Sequence, residues 1–170
     1  MTTGSAALAT WVVTAGFGLS LFVTWLAHGG LSQHPPSRWL TVNLPPPYFP
    51  APLIFTHVIL ATGGLGVWIA YLVKDSPVLA WIALLMLVPV AAVGFTMFGR
   101  WLGSRRLRQA ALPGSQRLSA VPDPRRAGTS PRAATLPESR LPVILVACHG
   151  LFGATTIVLV LATATGVGSS

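Results

Sequence analysis

Two histidines stand out because each lies inside a long apolar run, where ionisable side chains are costly and usually have a function. His57 lies in the run from Pro52 to Val73, and His149 in the run from Leu141 to Val167. Neutral imidazoles are the axial ligands that many haem proteins use. No Asp, Glu, Lys or Arg lies within any long apolar run, which argues against a proton pump or an ion-coupled carrier.

Each histidine begins a stripe of small residues along its predicted helix. Positions i+4 and i+7 from a helical residue lie on the same face as that residue. From His57 and His149 these positions are Ala61 and Gly64 on one helix, and Gly153 and Thr156 on the other. Two facing stripes of this kind would leave a flat apolar slot, and a porphyrin needs such a slot between its two axial imidazoles.

A bound porphyrin would also need cations for its propionates. Arg100 and Arg140 stand at the ends of the third and fourth apolar runs and could supply them. Other ligands are weaker candidates. Cys148 directly precedes His149, but adjacent helical residues point about 100° apart and do not converge on one ion. Met97 could replace one imidazole, although methionine more often fills a core.

The composition places these residues in a membrane protein. Of 170 residues, 52% are hydrophobic and 8% are charged, whereas a soluble domain carries about a quarter charged residues. Four runs are long enough to span a bilayer. The sequence therefore predicts an all-α integral membrane four-helix bundle, a single domain over 1–170, and we find no internal sequence repeat in it. The predicted spans are approximately 6–27, 52–73, 78–99 and 141–167.

A basic segment between the third and fourth runs sets the orientation. Nine of the eleven Lys and Arg residues lie from Arg100 to Arg140, and such segments stay in the cytoplasm. This explains the net charge of +8 without nucleic acid as a partner. We expect both termini outside, and a flexible basic cytoplasmic loop over 103–139, which has too few large apolar residues to fold alone.

With this orientation, the second and fourth helices both run outward from the cytoplasmic side. His57 lies five residues after Pro52, and His149 lies eight residues after Leu141. At 1.5 Å per residue these offsets are about 8 Å and about 12 Å. The two imidazoles therefore fall at a similar depth, near the cytoplasmic side, on two parallel helices.

The four spans and the pair His57 and His149 resemble the small four-helix membrane cytochromes of b type. The resemblance implies haem b held between histidines of transmembrane helices. It also implies an electron-transfer or redox subunit, rather than a self-contained enzyme, that exchanges electrons with a quinone or a partner protein. Families of this type commonly carry more intramembrane histidines than this chain has. We expect a multi-pass protein of the cell (plasma) membrane, alone, as a homodimer or in a larger membrane complex.

A second interpretation needs no haem. A histidine in a membrane helix can simply donate a hydrogen bond across a helix interface, and the adjacent glycines can serve close packing. The chain would then be a non-catalytic accessory subunit of a larger membrane complex, with the basic loop as its docking segment. A carrier or channel is a third interpretation, for which intramembrane charge is missing.

Overall fold

The computed structural model describes residues 2–32, 50–118 and 141–167, with the backbone alone at 32, 104 and 107–118. These residues form four α-helices and one 3-10 turn, Gly30–Ser32. The helices are α1 (Thr3–Ala27), α2 (Ala51–Lys74), α3 (Pro77–Leu118) and α4 (Val143–Ala164). Each contains a segment long and apolar enough to cross a membrane, and such a set is typical of a multi-pass membrane protein.

The helix ends follow from local chemistry. At the start of α1, the Thr2 hydroxyl accepts a hydrogen bond from the Ser5 amide, 3.3 Å away, as N-cap residues do. Proline occupies the N-cap position of both α2 (Pro50) and α4 (Pro142), with nearly the same backbone angles. The α2–α3 turn is made at Asp75, whose φ of 50° is left-handed.

The predicted spans agree with the observed helices except at the end of α3. We expected the third span to end at 99 and a loop to begin at 103, but α3 continues to Leu118. The reason is local, because the sequence from Arg105 to Leu112 consists of arginine, leucine, glutamine and alanine, which are strong helix formers. The Arg105 guanidinium also lies over the Trp101 ring one turn earlier, 5.0 Å from its centroid. The rest of the predicted loop, 119–139, lies outside the described residues.

The four helices form a bundle in the spatial order α1, α4, α3, α2. Helix α1 packs mainly along α4 and α2 mainly along α3, with smaller interfaces between α3 and α4 and between α1 and α2. Helices α2 and α4 therefore lie diagonally across the bundle. Near the N-terminus, Gly4 lies beside Tyr71, Leu72 and Thr163. This end carries the N-terminus, the α2–α3 turn and the end of α4, and we call it the terminal end; the opposite end is the loop end.

The interior is divided into two apolar clusters. The first, toward the terminal end, contains Ala7, Trp11, Trp68, Ala80, Ala83, Leu87 and Val160. The second, at the loop end, contains Trp25, Ile54, Trp101 and Leu141. Between them lie His57 and His149 together with Thr14, Gly18, Val90 and Gly94. We call this zone the middle layer.

The two halves of the chain are structurally equivalent. This internal repeat was not predicted from the sequence. Positions in α1 correspond to positions in α3 that are 76 residues later, and 8 of the 23 pairs from 4–26 and 80–102 are identical. Positions in α2 correspond to positions in α4 that are 92 residues later, which pairs Pro50 with Pro142 and His57 with His149. Corresponding residues are buried alike, as for the pairs Ala7 and Ala83, Trp25 and Trp101, and Trp68 and Val160.

The equivalence extends to the helix interfaces, since exchanging the halves turns the α1–α4 interface into the α3–α2 interface. The bundle is therefore approximately two-fold symmetric about its long axis. Large apolar side chains remain exposed on the outer face of every helix, among them Leu19, Ile59, Leu85 and Leu151. Such a surface suits lipid rather than water.

Candidate functional site

The two histidines of the apolar spans meet inside the bundle. His57 on α2 and His149 on α4 are half-buried in the middle layer. Their ring centroids are 6.1 Å apart and their ring planes are inclined by 61°. The prediction that the two imidazoles share one depth is consistent with this placement. Because α2 and α4 lie diagonally, the imidazoles approach each other across the bundle axis instead of at a helix–helix contact.

Each imidazole is tied to a neighbouring helix by the same type of hydrogen bond. Nδ1 of His57 lies 3.1 Å from the Val90 carbonyl oxygen on α3. Nδ1 of His149 lies 3.0 Å from the Thr14 carbonyl oxygen on α1. A carbonyl oxygen can only accept, so Nδ1 carries the proton and donates it in both cases. Thr14 and Val90 are themselves equivalent positions of the two halves, so the bonds obey the two-fold symmetry.

The glycine four residues after each accepting carbonyl makes room for the ring. A Cβ built at Gly18 would lie 2.9 Å from His149 Cε1, and one built at Gly94 would lie 3.4 Å from His57 Cε1. Optimal carbon–carbon contacts are about 3.5–4.0 Å, so a side chain at Gly18 would displace the His149 ring. Gly18 and Gly94 thus leave room for the imidazoles of His149 and His57, and we call these two positions the imidazole seats. The 76-residue offset between the two halves pairs Gly18 with Gly94.

The hydrogen bonds leave Nε2 of both rings available. With Nδ1 protonated, Nε2 of a neutral imidazole carries a lone pair and can bind a metal. Nε2 of neither His57 nor His149 makes a hydrogen bond within the described part of the chain. A donated Nδ1–H to a backbone carbonyl is also the usual outer-shell support of a metal-binding histidine, because it fixes the tautomer and the ring orientation.

The separation of the rings fits two axial ligands of one iron. Metal–imidazole bonds are about 2.0–2.1 Å and the ring centre lies roughly 1.1 Å behind the nitrogen, so imidazoles on opposite sides of one metal ion have centroids about 6.3 Å apart. The observed value is 6.1 Å. Within the described residues, no group of three or more His, Cys, Asp and Glu could hold a metal ion. Two imidazoles match the number of positions that a porphyrin leaves open on its iron.

The predicted slot lining is only partly open. A Cβ at Gly64 would lie 3.1 Å from the Trp11 ring on α1, so this stripe is covered by an indole. On α4, a Cβ at Gly153 would lie 3.6 Å from the Thr14 methyl group. The hydroxyl of the buried Thr156 donates to the Phe152 carbonyl oxygen, 2.8 Å away, and its oxygen lies 3.1 Å from the Thr10 hydroxyl oxygen.

The small residues toward the terminal end therefore allow close packing against α1. A stripe of glycine and threonine can accommodate a neighbouring helix as well as a ligand. Ala61 is half-buried on α2. Of the four residues predicted to line the slot, Gly64 and Gly153 thus face side chains of α1.

Of the two arginines predicted to bind the propionates, one lies within the described residues. Arg100 is half-buried on α3, six residues beyond Gly94, which places it about 9 Å along the axis from the middle layer, toward the loop end. Arg140 lies outside the described residues. Met97 packs against the loop-end cluster, and Cys148 is a half-buried free thiol. His28 is exposed, and its Nδ1 lies 2.7 Å from the Thr24 carbonyl of its own helix.

Comparison with known proteins gives no independent guide to this site. No family model, no curated protein and no solved structure matches the chain. The functional assignment therefore depends on the geometry of the middle layer and on the sequence.

Proposed function

We propose that this chain is an integral membrane haem-b-binding protein in which His57 and His149 are the two axial ligands. The observation that carries the proposal is the pair of symmetric Nδ1 hydrogen bonds, which leaves two Nε2 lone pairs on rings 6.1 Å apart. An imidazole kept only for helix packing has no need of a second imidazole at this distance.

The protein's residues would bind and orient the cofactor. The Thr14 and Val90 carbonyls hold the rings in one tautomer and make both Nε2 atoms stronger ligands. The two apolar clusters on either side of the middle layer exclude water from it. Bound haem b would supply reversible one-electron chemistry. The function proposed is thus electron transfer as a redox subunit, with a quinone or a partner protein as the exchange partner.

We also propose an orientation of the bundle in the membrane. With the basic segment in the cytoplasm, the loop end of the bundle is cytoplasmic and both termini are outside. The imidazoles then lie nearer the cytoplasmic side of the cell membrane. Whether one chain acts alone, as a homodimer or within a larger membrane complex does not alter the site, since both ligands come from the same chain.

The test is an absorption spectrum of protein produced with ample haem. We expect a low-spin, six-coordinate spectrum that is lost in both His57→Ala and His149→Ala. His28→Ala is the matched control, because His28 also bonds a carbonyl through Nδ1 but is exposed and bonds its own helix. Purified protein without a Soret band would overturn the proposal.

A structural role as an accessory subunit is the second candidate, and the same hydrogen bonds favour it. They join α2 to α3 and α4 to α1, which are the two largest interfaces of the bundle. Comparison of wild type with His57→Asn separates the candidates, because an asparagine amide can replace Nδ1–H as donor but offers nothing in place of Nε2. The haem proposal predicts a wild type with a low-spin haem spectrum and a stable His57→Asn that has lost it. The accessory role predicts that wild type and His57→Asn are equally stable and equally colourless.

A further inference from the structure

Among the described residues, the side chain of Trp25 presents a buried polar group that the fold does not use. Trp25 is 2% exposed and belongs to the loop-end cluster. Its Nε1–H is buried and makes no hydrogen bond in the part of the chain that the structure describes. By contrast, the Nε1–H of Trp68, which is 0% exposed, donates to the Gly4 carbonyl 3.3 Å away. Buried indole N–H groups normally find such a partner.

The position of Trp25 relates it to the imidazoles. Gly18 is in contact with the His149 ring, and Trp25 follows Gly18 by seven residues, which is two helical turns or about 10 Å toward the loop end. Residues seven apart also share one helix face. This offset is similar to the distance from a haem iron to its propionate carboxylates. Trp101 occupies the equivalent position of the second half and belongs to the same cluster.

The charge at this end also suits an acid. Arg100 directly precedes Trp101 and is half-buried, and Arg105 stacks over the Trp101 ring. No Asp or Glu occurs in α1, α3 or α4. Among the described residues of the loop end, the charged side chains are therefore arginines, and the Trp25 indole N–H is a further donor for a carboxylate.

We propose that the Trp25 indole N–H donates a hydrogen bond to a propionate carboxylate of the bound tetrapyrrole. This inference depends on the proposed haem function and adds that the propionates of the haem would lie toward the loop end. The two propionates of a porphyrin lie on one edge, one on each side of its in-plane two-fold axis. This arrangement matches the approximate two-fold symmetry of the bundle.

The experiment compares haem with haem dimethyl ester, in which both carboxylates are blocked. Full-length apoprotein in detergent is titrated with each compound, as wild type, Trp25→Phe and Trp68→Phe. A hydrogen bond to a charged group contributes enough that Trp25→Phe is expected to bind haem about tenfold to a hundredfold more weakly than wild type. The two proteins should bind the dimethyl ester equally, and Trp68→Phe should bind both compounds like wild type.

Three results would overturn the inference. Equal haem affinities of wild type and Trp25→Phe would show that the indole N–H is not used. Equal weakening for haem and the ester would show that only packing was lost. Failure of wild type to bind either compound would overturn the haem function itself, which is a distinct result. Should Trp25→Phe not fold, β-(3-benzothienyl)alanine at position 25 removes only the N–H, and the same comparison applies.

Discussion

Replacement of Gly18 by alanine tests whether the imidazoles are seated as the structure describes. The added Cβ would lie 2.9 Å from Cε1 and 3.3 Å from Nδ1 of His149. Restoring a normal carbon–carbon contact of about 3.5–4.0 Å requires the ring to move by about 0.6–1.1 Å. The Nδ1–oxygen distance is already 3.0 Å, so a displacement of this size away from α1 breaks the bond to Thr14.

The magnitude follows from two effects. Overpacking of a close contact typically costs about 1–3 kcal/mol, and loss of the hydrogen bond adds about 0.5–1.5 kcal/mol. Gly18→Ala should therefore destabilise the bundle by about 2–4 kcal/mol. Gly94→Ala makes the equivalent change in the other half, but its Cβ would lie at 3.4 Å from His57, which is close to an ordinary contact. We expect a cost of at most about 1 kcal/mol for Gly94→Ala.

The assay is reversible unfolding in mixed micelles, with Gly16→Ala as the reference. Gly16 lies on the same helix and a Cβ there meets nothing within 4 Å, so this variant carries the gain in helix propensity without the clash. Haem content of the same three variants provides the second measurement, and it should fall most in Gly18→Ala. Equal stabilities of Gly18→Ala and Gly16→Ala would refute the close approach of His149 to α1. A larger loss in Gly94→Ala than in Gly18→Ala would contradict the geometry of the two seats.

Three further predictions concern the topology and the α1–α4 interface. A cysteine at Ser119, on a Cys148→Ala background, should not react with an impermeant reagent added to intact cells, and labelling there would reverse the proposed orientation. Gly153→Leu should lower both bundle stability and haem content because the added side chain forces α1 away from α4. Gly150→Leu is the control and should lower neither, because a Cβ at Gly150 meets nothing within 4 Å. Equal effects of the two substitutions would show that Gly153 is not at the interface. Thr156→Val should cost about 0.5–1.5 kcal/mol in the same unfolding assay because its hydroxyl bonds are lost, and an unchanged stability would show that these bonds contribute nothing.

The spans could be predicted because a bilayer imposes one length and one composition on every crossing helix. The shared depth of His57 and His149 could also be anticipated, since charge asymmetry gives helix directions and the rise per residue gives depth. The neighbours of each helix could not be derived from these arguments. Short connections favour adjacent helices, but only the packed structure shows that α2 and α4 lie diagonally and that their histidines bond to α3 and α1.

Helical periodicity could predict only part of the surroundings of the slot residues. Periodicity places Gly64 on the face of His57, but it cannot tell whether a ligand or a neighbouring side chain occupies the space, and here the Trp11 ring does. The contacts of Gly18 and Gly94 with the imidazoles could not be predicted for a related reason. A single glycine in a membrane helix is uninformative alone, and its meaning appears only when the equivalence of α1 and α3 pairs it with a second glycine beneath a second imidazole.

Electron paramagnetic resonance of the oxidised protein is the most direct test of the proposal that His57 and His149 both bind one haem iron. Two imidazole ligands make ferric haem low-spin, and planes inclined by 61°, far from parallel, are expected to give a signal with strongly anisotropic g values. We therefore predict a low-spin ferric signal that is absent from both His57→Asn and His149→Asn, although both variants remain folded. A high-spin ferric signal from the wild-type protein, or a low-spin signal that survives either substitution, would contradict the proposed ligation.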